Sequence, residues 1–487
     1  MRAASLAYRP RQPDEDVLRQ LVHDYFETLR ARAAGGGAGQ GLPAFVEREF
    51  REFLTCGHLA AGFARFRCRG CGADRLVAFS CKGRGFCPSC GGRRMTERAA
   101  HLADHVFPEV PVRQWVLTLP VRLRYGLAFD HAACRAVTGA FLGAVFAWLR
   151  SRARGRGVTR GQTGAVVIVQ RFGGGLNVNV HLHALVLDGV FAPDGTGGLR
   201  FWPLDRHAVA PGHLASLLAV ITRRIARRAG GCGLGGDDRE APDRWADTEP
   251  VLAGLAAASV AGLAATGRRR GAPVRRWGDM VDRPEPRPPG RWQARTDGFD
   301  LHAALVVPAR ARDRLERLCR YALRPPVGQD RLQPMPDGTV ALELRHRWAD
   351  GTTHLIFEPV ELMERLAALV PRPRVNLVLY YGVLAPRAAW RRAVVPGGVG
   401  GAAGLPEARA RRRPNPTWAA LMQRGFGFDV LACPRCAGRM TLVALIHAPA
   451  VVERILRHVG QSTEVPRVGP SRDPPVGRIW GDDGLPG

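Results

Sequence analysis

Three groups of residues in this chain have side chains and spacings that could do chemistry. The first is the stretch CGHLAAGFARFRCRGCGADRLVAFSCKGRGFCPSC, residues 56–90. It holds two CxxC knuckles, Cys68/Cys71 and Cys87/Cys90, fifteen residues apart. Each knuckle offers two thiolates from a tight turn, and two knuckles together complete a tetrahedral structural zinc site. Cys56 and Cys81 are left over, either as part of a second site or as small buried apolar side chains. Far along the chain, Cys433-Pro-Arg-Cys436 is a lone knuckle. It would need His447 or His458 to hold a metal, and otherwise it closes a turn.

The second group is Asn177-Val-Asn-Val-His-Leu-His-Ala-Leu-Val-Leu187. Side chains alternate along a strand, so Asn177, Asn179, His181 and His183 share one face and the aliphatic residues take the other. Two imidazoles at i and i+2 on a rigid strand converge on one point, where they suit a divalent ion or simply pair at a surface. The third group surrounds Tyr321 in RLCRYALRPP, residues 317–326. Arg314, Arg317, Arg320 and Arg324 lie within reach of a helix end that carries this hydroxyl, and guanidinium groups there can hold a phosphate.

Periodicity supplies the elements that must position these residues. Apolar spacing predicts helices over 14–32, 94–105, 131–152, 309–323 and 360–369, with Pro108 and Pro111 ending the second. Strand patterns fall at 114–119, 164–171, 177–187, 301–307, 340–345, 354–357 and 375–383. Gly173-Gly174-Gly175 reads as the turn between the two strands that flank it. The Gly-, Arg- and Pro-rich stretch 230–297 reads as an insertion around one helix. These boundaries divide the chain into a helix and zinc module (14–105), a main domain (108–393), a linker (394–428), a Cys-pair segment with a helix (429–460) and a disordered tail (461–487). The fold class is α+β.

Composition narrows the partners. Apolar residues make up 46% and charged residues 23%, enough for sizeable cores and unlike a collagen, coiled coil or disordered chain. Lys and Arg outnumber Asp and Glu by 71 to 43, a net charge of +28 that points to a polyanion. Arg65, Arg67, Arg69, Lys82, Arg84, Arg93 and Arg94 crowd the knuckles, as a phosphate-gripping module would require. The N-terminus lacks the apolar core of a signal peptide, and the longest uncharged apolar stretch, 251–267, falls short of the ~20 residues that span a bilayer. The expectation is a cytoplasmic, nucleoid-associated protein with reduced thiols, bound to DNA and to no membrane.

Taken together, CRGCGADRLVAFSCKGRGFCPSC, QWVLTLPVRLRYG, the His-Leu-His strand, LCRYALRPPV and WADGTTHLIFEP resemble the insertion-sequence-91 family of rolling-circle, HUH-type tyrosine transposases. The resemblance covers about residues 20–390. It implies a zinc-binding domain ahead of a central antiparallel sheet with flanking helices. It also implies that His181 and His183 hold Mg²⁺ or Mn²⁺, and that Tyr321 attacks single-stranded DNA to leave a 5′-phosphotyrosine and a free 3′-hydroxyl. A third metal ligand stays open between Gln170, on the neighbouring strand, and His302, on the strand leading to the Tyr321 helix. Arg317, Arg320 and Arg324 are the expected phosphate contacts. Two features depart from the family. Ala64 and Phe86 stand where relatives carry His beside the zinc cysteines, and no second Tyr lies one turn from Tyr321, where Arg317 and Pro325 stand. A second strand exchange would therefore need another subunit, hence a homo-oligomer, or reuse of Tyr321. A plasmid replication initiator or relaxase shares this chemistry, and a non-catalytic zinc-dependent DNA-binding protein shares the charge and the cysteines.

Overall fold

The structure is a computed structural model that describes residues 16–35, 41–205, 209–230, 243–279, 288–396 and 417–471. The expected linker and tail fall largely on 397–416 and 472–487, outside the described residues, as does Cys232.

The N-terminal region begins with α1 (Val17–Ala34) and α2 (Ala44–Thr55). The Asp16 carboxylate caps α1 by accepting from the backbone N–H groups of Leu18 and Arg19. Phe50 and Phe53 on α2 pack around Phe86, and Phe26 of α1 stacks on Phe50 at 4.6 Å. Phe86 is thus a core residue. A hairpin, β1 (Phe63–Cys68) and β2 (Asp74–Ala78), leads to α3 (Pro88–His101), which starts inside the second knuckle.

The main domain runs through β3 (Val112–Thr118), α4 (Val121–Phe129), α5 (His131–Arg154), β4 (Gly164–Phe172), β5 (Val178–Leu187), β6 (Gly189–Pro193) and β7 (Leu199–Pro203). It continues with α6 (Pro211–Gly230), α7 (Arg244–Thr248), α8 (Pro250–Ala261), β8 (Arg275–Gly278), β9 (Gln293–Thr296), β10 (Phe299–His302), β11 (Val306–Val307) and α9 (Arg312–Leu323). Then follow β12 (Leu332–Pro334), β13 (Val340–Glu343), β14 (Thr352–Phe357), α10 (Pro359–Leu369), β15 (Val378–Gly382) and α11 (Arg391–Val394). The C-terminal segment holds α12 (Trp418–Phe426), β16 (Met440–Ile446) and α13 (Pro449–His458).

The central sheet is antiparallel, ordered β15-β4-β5-β3-β10-β9, with β11 also paired to β3. Period-two alternation gives the inner strands β3, β4 and β5 two largely buried faces. Val167, Val169, Val180, Leu182, Ala184 and Trp115 join one core with α4, α5, α6, α8 and α10. Val166, Ile168, Leu185 and Leu187 join another with the end of α3 and with α9. The His pair lies on this second face, under the helix that carries Tyr321. Arg113 and Asp188 brace the sheet with a buried two-pronged ion pair at 2.8 and 3.0 Å.

Among the described residues α5 is the one helix long and apolar enough to cross a membrane, and more than half of that stretch is buried.

Three expectations change. The stretch 230–297 is not an insertion around one helix: β9 joins the central sheet, and β8 joins a separate sheet ordered β12-β13-β14-β8. The 301–307 strand breaks into β10 and β11, and β3 separates it from the His strand. The C-terminal segment is no separate unit, because β16 pairs antiparallel with β1 and extends the N-terminal hairpin to three strands.

Candidate active site and metal centres

His181 and His183 sit on β5, the strand with a partner on either side near the middle of the sheet. Gln170 on β4 and Thr118 on β3 are directly opposite His181; Ile168 and Val116 are opposite His183. The imidazole centroids are 5.0 Å apart. Each Nδ1 has a partner: for His181 the backbone oxygen of Asn179 at 2.9 Å, and for His183 the Gln114 amide at 2.9 Å. These contacts fix ring orientation and leave Nε2 facing the helix side. Burial lowers His183 to about 3 and His181 to about 4, so both imidazoles are neutral near pH 7, the form that binds metals.

Buried polar atoms are nearly always paired. His183 Nε2, Gln170 Oε1 and Asn179 Oδ1 are buried without a hydrogen-bond partner. Two unmet amide oxygens and His183 Nε2 fit a divalent ion that accepts mixed N/O ligands, His183 Nε2 offering its lone pair in the tautomer whose Nδ1–H donates to the Gln114 amide oxygen. Gln170 belongs to this group by register. His302 does not: it aligns with Val116, two strand spacings or about 9.5 Å from the His strand, and it is exposed.

Helix α9 buries Leu315, Leu318, Cys319 and Ala322 against the sheet. Tyr321 consequently faces outward, 51% exposed, yet its ring stands edge-on to His183 with centroids 6.1 Å apart. The Gln170 amide donates to the Ala322 backbone oxygen at 3.1 Å and ties the end of α9 to β4. Arg324 stacks over the Tyr321 ring at 4.4 Å and donates to the Tyr321 backbone oxygen at 3.0 Å. Arg314 and Arg317 lie seven and four residues before Tyr321, on its exposed stripe. Arg320 does not join them. It pairs with Glu316 at 3.5 Å and donates to the Gly425 oxygen at 3.1 Å, so it fastens α9 to α12.

The cysteines group differently from the expected single tetrad. Cys87 and Cys90, at the start of α3, converge with Cys56, at the end of α2, and with Cys81. Their sulfurs approach to 3.6 Å (Cys56–Cys87), 3.7 Å (Cys56–Cys90) and 3.4 Å (Cys81–Cys90). Arg94 holds the intervening loop through the backbone oxygens of Lys82 and Gly83, and Glu49 accepts from Arg84 and Gly85. Arg84 and Arg94 therefore serve the loop.

Cys68 and Cys71, at the β1–β2 turn, converge instead with Cys433 and Cys436. Sulfur distances are 3.5 Å (Cys68–Cys436) and 3.7 Å (Cys71–Cys433). The backbone N–H groups of Cys71 and Gly70 lower the Cys68 thiol to about 6, toward the thiolate a metal requires. The knuckle at 433–436 thus has four-thiol company without His447, which stacks on Phe79 at 4.4 Å. Both tetrads have the all-sulfur, closed character of structural zinc sites.

The Cys56/Cys81/Cys87/Cys90 tetrad adjoins the Tyr321 helix. Gly91 follows Cys90, and a Cβ there would lie 2.6 Å from Pro325 Cβ, just past the end of α9. Arg424 on α12 reaches Asp104 at 2.6 and 3.1 Å and Glu316 of α9 at 2.7 Å.

Two family models match the chain. The one described as “Putative transposase” covers residues 164–392, which include His181, His183 and Tyr321. The one described as “Transposase zinc-binding domain”, of the insertion-sequence-91 type, covers residues 21–119, which include six of the eight clustered cysteines but not Cys433 or Cys436. No curated protein and no solved structure matches.

Proposed function

Since the chain belongs to the insertion-sequence-91 type of transposases and carries their zinc-binding domain, we propose that it nicks single-stranded transposon ends through Tyr321 and transfers the strand in rolling-circle transposition. The Tyr321 oxygen attacks the scissile phosphorus, the bond to the 3′-oxygen breaks, and the phenolic proton is lost to solvent while the leaving oxygen gains one. The product is a 5′-phosphotyrosine with a free 3′-hydroxyl, which stores the phosphodiester for rejoining without ATP.

His181, His183 and Gln170 would hold Mg²⁺ or Mn²⁺, an ion that supplies positive charge to the phosphate oxygens during displacement. The chain's own residues do the rest. Burial keeps both imidazoles neutral, Gln114 and the Asn179 oxygen hold their rings, and the Gln170 amide holds the end of α9 beside them. Arg324 and Arg317 are placed to neutralise phosphates entering beside Tyr321, while Arg320 is committed to α12. Zinc in the two cysteine tetrads has a structural role.

The observation that carries this reading is the pair of buried polar atoms without partners, His183 Nε2 and Gln170 Oε1, under an exposed tyrosine whose ring lies 6.1 Å from that of His183. The test uses 5′- and 3′-labelled single-stranded transposon ends with Mg²⁺ or Mn²⁺, followed by mapping of the DNA-linked peptide. Tyr321 should carry the 5′-linked adduct, and Tyr321→Phe and His181→Ala/His183→Ala should abolish it. An adduct on Tyr380 or Tyr381 would reassign the nucleophile. Undiminished cleavage by the double His variant would move the metal elsewhere.

A further inference from the structure

The WADGTTHLIFEP segment (348–359) touches neither the His pair nor a cysteine tetrad, yet it borders the active site. Trp348 lies in the turn before β14 and is 36% exposed. Its six-membered ring comes within 3.7 Å of where a Gly175 Cβ would stand, in the turn that feeds the His strand. Its other neighbour is Arg276, whose guanidinium stacks 5.4 Å from the ring and pairs with Asp350 at 2.7 Å. Leu355, opposite Arg276 in the β14–β8 register, is buried against this same turn. Arg276 therefore stands on the sheet face turned toward the active site.

A run of basic groups connects Trp348 to Tyr321. Arg324 covers the Tyr321 ring at 4.4 Å and lies 5.7 Å from Phe172, the last residue of β4. Arg331 donates to the Gly174 oxygen at 3.0 Å, midway along the turn. Burial lowers the pKa of both Arg324 and Arg331, and the Arg345 charge lowers each further. Among the described residues none of these three guanidinium groups makes an ion pair with a carboxylate. Arg331 feels the Asp330 and Glu343 carboxylates without pairing to either, and guanidinium groups kept this close without ion pairs are suited to a polyanion. The strip is narrow and ends on one indole, which matches a single backbone with unstacked bases rather than a duplex.

On the reading that Tyr321 nicks single strands, we infer that the strand leaves Tyr321 across the β4–β5 turn, its phosphates over Arg324, Arg331 and Arg345 and one base stacked on Trp348. Trp277 provides an internal control. It is 57% exposed and pairs with His354, so alternation puts it on the opposite face of the same sheet.

The test measures anisotropy of a 5′-fluorescein 20-mer single strand of mixed sequence, with zinc-loaded full-length protein and no added Mg²⁺ or Mn²⁺. Trp348→Ala should weaken binding about fivefold or more, and Trp348→Phe should restore most of it. Arg345→Ala should weaken binding and reduce the salt slope by about 0.7. Trp277→Ala should stay within about twofold of wild type. Thermal midpoints and zinc content report folding, and Arg345, being exposed, tests the path even if Trp348→Ala is unstable. Binding unchanged in both Trp348→Ala and Arg345→Ala overturns the inference, as does an equal loss in Trp277→Ala. Adduct formation by wild type on saturating DNA is scored separately, so this path can fail while Tyr321 remains the nucleophile.

Discussion

Replacing Cys433 and Cys436 together by Ser tests the crossed pairing of the cysteines most directly. A single site built from Cys68, Cys71, Cys87 and Cys90 would be indifferent to this change, because neither residue belongs to it. The structure has two tetrads, with Cys71 and Cys433 partnered across 362 positions of sequence. The double variant should therefore fall from two zinc ions per chain to one. Cys68→Ser should remove the same ion, and adding it to the double variant should cost no further metal. Cys87→Ser should remove the other ion, and combined with the double variant it should leave none.

The consequence for the C-terminal segment can be sized. Phe63, Val452 and Leu456 form the small buried cluster that holds α13 to the hairpin. At ~1.5–3 kcal/mol each, they contribute about 5–9 kcal/mol. Ordering residues 440–458 costs about 20 kcal/mol at ~1 kcal/mol per residue. A structural zinc contributes roughly 10–16 kcal/mol, which covers the difference. Without its metal, β16 should leave β1. Metal analysis with limited proteolysis reads both effects: the variant should be cut within 427–460 under conditions that leave wild type intact. Two ions retained by the variant, or one ion in wild type, would refute the crossed tetrads.

Other perturbations probe the active-site frame. Gln170→Ala should lower apparent Mn²⁺ affinity in the nicking assay about 10- to 100-fold while single-strand affinity in the absence of Mn²⁺ is unchanged. Gly91→Val would press on Pro325, so Tyr321 adduct formation should slow at least tenfold with both zinc ions retained. Arg113→Ala strands the buried Asp188 carboxylate and should cost about 3–5 kcal/mol in urea unfolding, with the zinc tetrads still loaded.

What was legible in the sequence was local. His181 and His183 share a face because a strand alternates, and the turn at Gly173–Gly175 puts β4 beside β5 with Gln170 opposite His181. The helix ending near Tyr321 follows from apolar spacing at Leu315, Leu318, Cys319 and Ala322. The cysteine pairing was not local. Fifteen intervening residues make Cys68/Cys71 and Cys87/Cys90 look like partners, but β1 and β2 carry the first knuckle away from the start of α3. A count offers the one available signal: Cys433/Cys436 supply a matching knuckle, after which Cys56 and Cys81 complete the remaining set. Arg320 is the phosphate candidate whose own contacts the sequence hides, because helical proximity to Tyr321 does not reveal Glu316 and Gly425 as its partners.

The proposed nucleophile and the proposed metal ligands sit in opposite environments, and the proposed chemistry needs both. His183 is buried and His181 half-buried on an inner strand, where ring contacts and strand pairing hold them ready before any DNA arrives. Tyr321 must reach a phosphate delivered from solvent, so its helix faces outward and depends on neighbours for position. Those neighbours are Gln170 from β4, Gly91 beside the Cys56/Cys81/Cys87/Cys90 tetrad, and α12 through Arg424 and Arg320. The edge-on contact between the His183 and Tyr321 rings, centroids 6.1 Å apart, keeps the hydroxyl-bearing ring beside the His pair. In-line attack tolerates little displacement, since a misplacement of about 1 Å can cost a hundredfold in rate. The zinc tetrads lie outside the proposed reaction, but the helix proposed to strike the phosphate packs against the segment that the Cys56/Cys81/Cys87/Cys90 tetrad holds.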